Sequence, residues 1–339
     1  MFFKLTNKLN TKILFILFSL FPLSFLIGNL IINALLILVG IIFFFNENLK
    51  KYINFEDKYF NILFFLFITL LVNLYFSQNI NLSYPRVFKF IFIILFILSF
   101  KSLIESNNKE AKKIYKVWFM LFFLVSIDLL FEFYFGSNLL GFKSHIPGRL
   151  ASFKGDELNI GNYICAFSLI TLAYFYYNIS KSIKLNLLLL FFIIFISLIV
   201  GERANFIKTF LMLLIFASIA YKIPLKFKLL FSSILIISVL AMVSFNEGYK
   251  KRFIDQPIFI LSSADNIVEN SVYGAHYLTS LKVFKNYPYF GVGIKNFRVE
   301  SYRSEYKIKN SDWTGGSTHT HQYHFELLSE TGLFGYISF

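Results

Sequence analysis

Apolar residues in this chain run in long blocks separated by short polar interruptions, with little of the alternation that marks a half-buried strand. The blocks fall at 12–27, 29–45, 59–76, 88–100, 117–135, 160–177, 185–200, 204–221 and 228–245. A bilayer-crossing helix needs roughly 20 mostly apolar residues, and inside lipid only a helix or a closed barrel satisfies its own backbone. The pattern therefore predicts an all-α, polytopic membrane helix bundle of about nine spans over residues 1–245. Residues 246–324 follow as one long polar connection. A tenth apolar block opens near Phe325 and meets the chain end at Phe339, short for a crossing, so 325–339 reads as the truncated start of a further helix. The first two blocks follow each other with no small-residue cleavage site between them, which argues against a removable signal peptide.

Lysine placement orients the bundle. With the N-terminus inside, the inward segments hold Lys4, Lys8 and Lys12; Lys50, Lys51 and Lys58; Lys101, Lys109, Lys112, Lys113 and Lys116; Lys181 and Lys184; and Lys222, Lys226 and Lys228. The short outward loops hold only Arg86, Lys143, Arg149, Lys154 and Arg203. By the positive-inside rule the N-terminus is expected in the cytoplasm of a bacterial inner membrane, with the large loop periplasmic. A structureless loop of that length is uncommon, so it is expected to fold into helices capping the bundle. Within it, residues 276–287 space Leu278, Leu281 and Phe284 on one side and Lys282 and Lys285 on the other, the pattern of an amphipathic helix stopped by Pro288.

Composition agrees. Of 339 residues 57% are hydrophobic and 20% aromatic, and the 15% that are charged fall well below the roughly 25% of soluble domains. The net charge of +14 sits in scattered short loops rather than one basic patch, which excludes a nucleic-acid binder. A single cysteine, Cys165, allows no intramolecular disulfide.

Four segments could carry chemistry. Gly201-Glu202-Arg203-Ala204-Asn205 pins a charged pair in a connection too short to be a loop; Arg203 is either an interface anchor or an anion clamp. The stretch from Arg149 through Gly155, Asp156 and Glu157 to Gly161 opens the sixth span, where the two acids could simply complement a helix N-terminus. Pro288, Gly291 and Gly293 lie in a segment that most simply makes a tight turn; a phosphate cradle is the weaker reading. The segment from Thr318 to Gly335 places His319, His321 and His324 within six residues. Those histidines could converge on zinc, although the spacing fits no strong zinc signature, or supply a base at neutral pH, or serve only as polar residues where a helix begins.

These residues resemble the O-antigen ligase and O-antigen polymerase superfamily of bacterial envelope glycosyltransferases. That family's C-terminal signature is His followed by Asn, Ser or Gln, then nine residues, then Gly-x-x-Gly. Here His321-Gln322, residues 323–331 and Gly332-Leu333-Phe334-Gly335 match it throughout. The segment 284–297 is similar to the block preceding that histidine, Gly201-Glu202-Arg203-Ala204 to the family's Arg-bearing turn, and 153–161 to the motif opening its middle span. The resemblance covers 149–339. Two departures stand out: counting back from Pro288 to the family's loop Arg reaches Tyr273, with Arg252 the nearest upstream candidate, and the further spans that follow Gly-x-x-Gly in the family are missing.

The resemblance implies transfer of a glycan from a polyprenyl-pyrophosphate donor to an acceptor hydroxyl, on lipid A core or another acceptor, at the periplasmic face. It implies His321 as general base and Arg203, Arg149 and Arg252 on the pyrophosphate, with Gln322, Gly332, Gly335, Asp156 and Glu157 in support. No cofactor and no metal are expected, because guanidinium groups can hold the leaving group and the chain has no nucleotide-binding motif. Ligation, repeat-unit polymerisation and transfer to protein share these motifs; the acidic Gly155-Asp156-Glu157 variant leans to ligation. A lipid-linked sugar transporter or flippase is the alternative from another class. It should show many mid-span polar groups, and Asp128 and Glu132 are among the few.

Overall fold

The computed structural model describes residues 2–106, 108–221, 225–263, 271–308 and 316–339. Lys222 and the segments 264–270 and 309–315 of the long connection lie outside the described residues. Every predicted apolar block is helical: α1 (Phe2–Ser19), α2 (Phe21–Ile27), α3 (Asn29–Phe44), α5 (Lys58–Tyr75), α6 (Ile80–Ser106), α7 (Asn108–Phe135), α8 (Ile160–Asn178), α9 (Ile183–Ile199), α10 (Arg203–Ala220) and α11 (Leu225–Phe245), with the short α4 (Glu47–Lys50) between α3 and α5. No strand occurs among the described residues. By length and hydropathy five of these helices can cross a membrane, six if the bent pair α1–α2 counts as one span. The fold is that of a polytopic helical membrane protein.

Three expectations need correction. The first block is two helices bent by 48° rather than one rod, because Pro22 in the first turn of α2 forces a restart after Ser19. The fourth span, expected at 88–100, is the 27-residue helix α6, since backbone hydrogen bonding continues into flanks too polar to register as apolar. The amphipathic helix begins four residues earlier than expected, as α14 (Val272–Asn286), where Ser271 Oγ accepts the Gly274 N–H at 2.8 Å. Its buried face is also rotated: Ala275, His276, Thr279, Ser280 and Val283 are buried, while Leu278, Leu281 and Phe284 are only half-buried. Small residues win that face because the chain beside it approaches closely, Ser280 Oγ donating to the Phe325 carbonyl at 2.6 Å.

The long connection alternates short helices with turns where described. It contains α12 (Glu247–Lys250), a π turn at Lys251–Asp255, α13 (Gln256–Leu261), α14 and α15 (Phe297–Glu300). The last helix, α16 (Tyr323–Ser338), is interrupted at Gly332, whose φ of 64° and ψ of −168° leave the helical region.

Two compact units emerge, Met1–Leu38 with Leu103–Pro257, and Val39–Ser102 with Ile258–Phe339. In the first, α8 packs against α7, α9 and α10. Trp118 Nε1 donates to the Phe18 carbonyl at 2.8 Å, and Phe123 stacks on Phe192 at 5.5 Å. In the second, α14 packs on α16 and α16 on α5. Asn73, buried in the last turn of α5, explains the latter contact. Its amide donates to the carbonyls of Phe290 (2.7 Å) and Glu330 (2.9 Å) and accepts the Ile294 N–H (3.1 Å). Asn296 likewise reaches Ser77 and Ser83 at 2.8 Å each. Two helices that read as generic spans, and the turn between them, thus hold the 288–297 segment with polar side chains.

Candidate active site

In the first unit, three glycines bring two loops and the short helix α12 together backbone to backbone. Gly201, in the turn between α9 and α10, has a φ of 75°, and a Cβ there would strike the carbonyl of Gly148. Gly148 has a φ of 73°, and its own Cβ would land 2.6 Å from the Gly248 carbonyl carbon. No other residue type fits these positions. The Leu150 N–H donates to the Val200 carbonyl at 3.1 Å, and the Tyr249 hydroxyl donates to the Ile199 carbonyl.

This junction gathers the three candidate arginines. Arg203 Nη1 donates to the Arg252 carbonyl at 2.9 Å, and Arg252 Nε donates to the Gly201 carbonyl at 3.0 Å. Arg149 donates to the Leu158 carbonyl and lies 3.4 Å from Glu202 Oε1. All three are half-buried, and Arg149 Nε is buried with no partner. Glu202, unassigned from sequence, is the carboxylate paired with this group; it also accepts the Gly161 N–H at 2.9 Å and the Asn205 amide at 2.6 Å. Among the described residues Arg203 has no carboxylate partner. Half-buried guanidinium charge in excess of carboxylate is what a multiply charged anion needs.

The mid-span acids lie behind this group. Glu132 accepts the N–H groups of Ala151 (3.0 Å) and Ser152 (2.7 Å), and Asp128 accepts the Leu139 N–H (2.8 Å) and the Ser152 hydroxyl (2.6 Å). Together they hold Ser152 at a φ of 51° and so fix the backbone that presents Arg149. A cavity of about 240 Å³ lined by Glu132, Arg149, Asn246 and Tyr249 opens beside it. Asp156 and Glu157 stay exposed; Glu157 lies 3.4 Å from Lys154 and accepts from the Asn159 amide at 3.3 Å, apart from the guanidinium group.

In the second unit the glycine motifs lock to each other. The N–H groups of Val292 and Gly293 donate to the carbonyls of Ser329 (3.0 Å) and Glu330 (2.9 Å). Leu333 and Phe334, released by the break at Gly332, donate to Pro288 (2.8 Å) and Tyr289 (3.0 Å). A Cβ on Gly291 would collide with the Glu330 carbonyl. These N–H groups are consumed by the fold, so the segment builds a turn and not a phosphate cradle.

That lock positions the start of α16. Gln322 caps the helix, accepting the Phe325 N–H at 2.8 Å, and His321 just before it adopts a left-handed φ of 59°. A non-glycine residue there costs energy and is over-represented at functional sites. The exposed His321 ring stacks against His276 (5.4 Å between centroids), lies 4.0 Å from the His319 ring and meets Tyr273 edge-on at 5.6 Å. Partial burial, and then the neighbouring His319 and His276, hold its pKa below the ordinary histidine value, with Glu326 opposing. His324 turns away to hydrogen-bond Tyr336 at 3.2 Å. Among the described residues, no group of three His, Cys, Asp or Glu side chains could hold a metal ion. The spacing of His276 marks only a helix face and carries no local sign of its contact with His321; Tyr273, at the position counted back from Pro288, meets the histidine edge-on.

Residues 185–339 match the family model described as O-antigen ligase. The chain matches no curated protein.

Proposed function

We propose that this chain, whose residues 185–339 match the family model described as O-antigen ligase, is a membrane glycosyltransferase moving a glycan from a polyprenyl-pyrophosphate donor to an acceptor hydroxyl. The acceptor is lipid A core, the membrane is the bacterial inner membrane, the N-terminus is cytoplasmic and the long connection faces the periplasm. Repeat-unit polymerisation and transfer to protein are the sibling reactions the same chemistry would serve.

His321 takes the proton of the acceptor hydroxyl through a ring nitrogen. The oxygen attacks the anomeric carbon as the bond to the pyrophosphate oxygen breaks, so the configuration inverts. The departing polyprenyl pyrophosphate keeps the bonding electrons, and Arg203, Arg149 and Arg252 neutralise it through charge-assisted hydrogen bonds. The observation that carries this reading is His321 itself, strained, exposed and biased toward its neutral form.

The test is His321→Ala in membranes supplied with a polyprenyl-pyrophosphate glycan and EDTA, scoring glycan on lipid A core, on lengthened chains and on protein. Loss of product with the variant still inserted supports the base, and the labelled product identifies the acceptor. Unchanged turnover removes His321 from catalysis and favours a transporter.

A further inference from the structure

A second cavity, of about 330 Å³, lies in the first unit between the α2–α3 break and the first turn of α8. Its walls include Asn29, Lys154, Glu157, Asn159, Asn162 and Tyr163, with the Phe25 ring as an apolar face. In so apolar a chain this is a concentration of hydrogen-bonding side chains, and its volume is at the low end for small-molecule sites.

Two wall residues carry buried polar atoms with no hydrogen-bond partner, the Tyr163 hydroxyl and Asn159 Oδ1. Tyr163 is only 1% exposed. Such atoms have given up water without return, and native structures leave few of them. Lys154 and Glu157 lie 3.4 Å apart and neutralise each other, so the cavity offers no net charge for an anion. Amides, a phenol and an aromatic face around a neutral space suit an uncharged ring rich in hydroxyls.

The cavity wall and the guanidinium group share one stretch of chain. Arg149 donates to the Leu158 carbonyl and Glu202 holds the Gly161 N–H, and the neighbouring Asn159, Asn162 and Tyr163 line the cavity. A glycosyl pyrophosphate has the same juxtaposition, a dianion bonded to a neutral sugar.

We propose that this cavity is the subsite for the donor sugar bonded directly to pyrophosphate, read by the Tyr163 hydroxyl and the Asn159 and Asn162 amides. The proposal rests on the donor reading above, and the test separates the two. The full chain in lipid nanodiscs is titrated with two probes, bare polyprenyl pyrophosphate and the same lipid carrying one hexose, for wild type, Tyr163→Phe, Asn162→Leu and Arg203→Ala. Tyr163→Phe is expected to weaken the hexose-bearing probe roughly five- to tenfold and leave the bare lipid unchanged. Its melting temperature should hold or rise, because the deleted hydroxyl has no partner in the fold. Asn162→Leu, at an exposed position on α8, should give the same selective loss and serves if the tyrosine variant is unstable. Equal binding of the hexose probe to variants and wild type, or equal weakening of both probes, overturns the subsite. Arg203→Ala should weaken both probes; if it changes neither, the donor reading itself fails.

Discussion

Glu202 Oε1 accepts the backbone N–H of Gly161 at 2.9 Å, joining the turn before α10 to the first turn of α8 across 41 residues of sequence. Asn159, at the N-cap of α8, makes no side-chain cap, so Glu202 supplies the negative charge at that helix's positive end. The fit is close: a Cβ on Gly161 would lie 2.7 Å from Glu202 Oε2. The same carboxylate faces Arg149 and Asn205. One buried group therefore fixes a helix start, a turn and a guanidinium.

Removing it leaves Arg149 half-buried with its carboxylate gone, and breaking a buried pair from one side costs about 3–5 kcal/mol. With the solvent that still reaches Arg149, Glu202→Ala should fall at the lower end, about 3 kcal/mol. Glu202→Gln should cost less, since an amide oxygen still accepts from Gly161. Thermal melts of detergent-solubilised protein should rank wild type above Gln above Ala; equal melts for Gln and Ala would show that charge alone matters.

Gly291→Ala tests the lock between the glycine motifs. The added methyl would meet the Glu330 carbonyl at a position where φ is already 69°, so it brings both a clash and backbone strain. We expect loss of monodisperse protein on gel filtration. Gly141→Ala, where φ is also positive (86°) but no atom lies within 4 Å of the new Cβ, should cost only the strain and remain extractable.

What the sequence revealed and what it hid follow from range. The apolar blocks are a local signal, and every one is a helix. The 201–205 turn was legible because two apolar runs press a charged pair into too few residues. The roles of Glu202, Asp128 and Glu132 were not legible, because each carboxylate is satisfied by backbone N–H groups from another part of the chain, which leaves no trace in periodicity. Asn73, Ser77 and Ser83 were hidden for the same reason: a polar residue where one apolar helix ends and the next begins looks like an ordinary connection until its partner segment is folded against it. The rotated face of α14 shows a further limit, since close approach selects small residues where a hydrophobicity pattern points to Leu278 and Phe284.

Arg203 should be more sensitive than Arg149, because Arg149 is paired with Glu202 whereas Arg203 has no carboxylate partner among the described residues. Arg203→Ala should lower turnover by roughly 10²–10³, the usual effect of deleting one preorganised donor. Arg203→Lys keeps the charge but loses the planar fork and its bond to the Arg252 carbonyl, so it should recover only part of the loss. Initial rates at saturating donor, normalised to inserted protein, decide this; full activity in Arg203→Ala would make the residue an interface anchor.

The pH dependence separates His321 from any other titrating group. Its pKa lies below the ordinary value near 6.5, so the ring is neutral at pH 7 and able to accept a proton. The rate should fall only as pH drops through that lowered pKa, putting the acid limb of kcat/KM below 6.5 with a plateau at neutral pH. Two substitutions should move the limb in opposite directions. His319 helps to hold the pKa down, so His319→Gln should shift the limb toward higher pH. Glu326 raises it, and Glu326→Gln should shift the limb lower, with Lys295, which lies 3.2 Å from Glu326, then left uncompensated and adding to the same effect. Opposite shifts with an intact plateau identify the limb as proton loss from His321. A limb that stays in place in both variants belongs to another group, and the base must then be sought elsewhere.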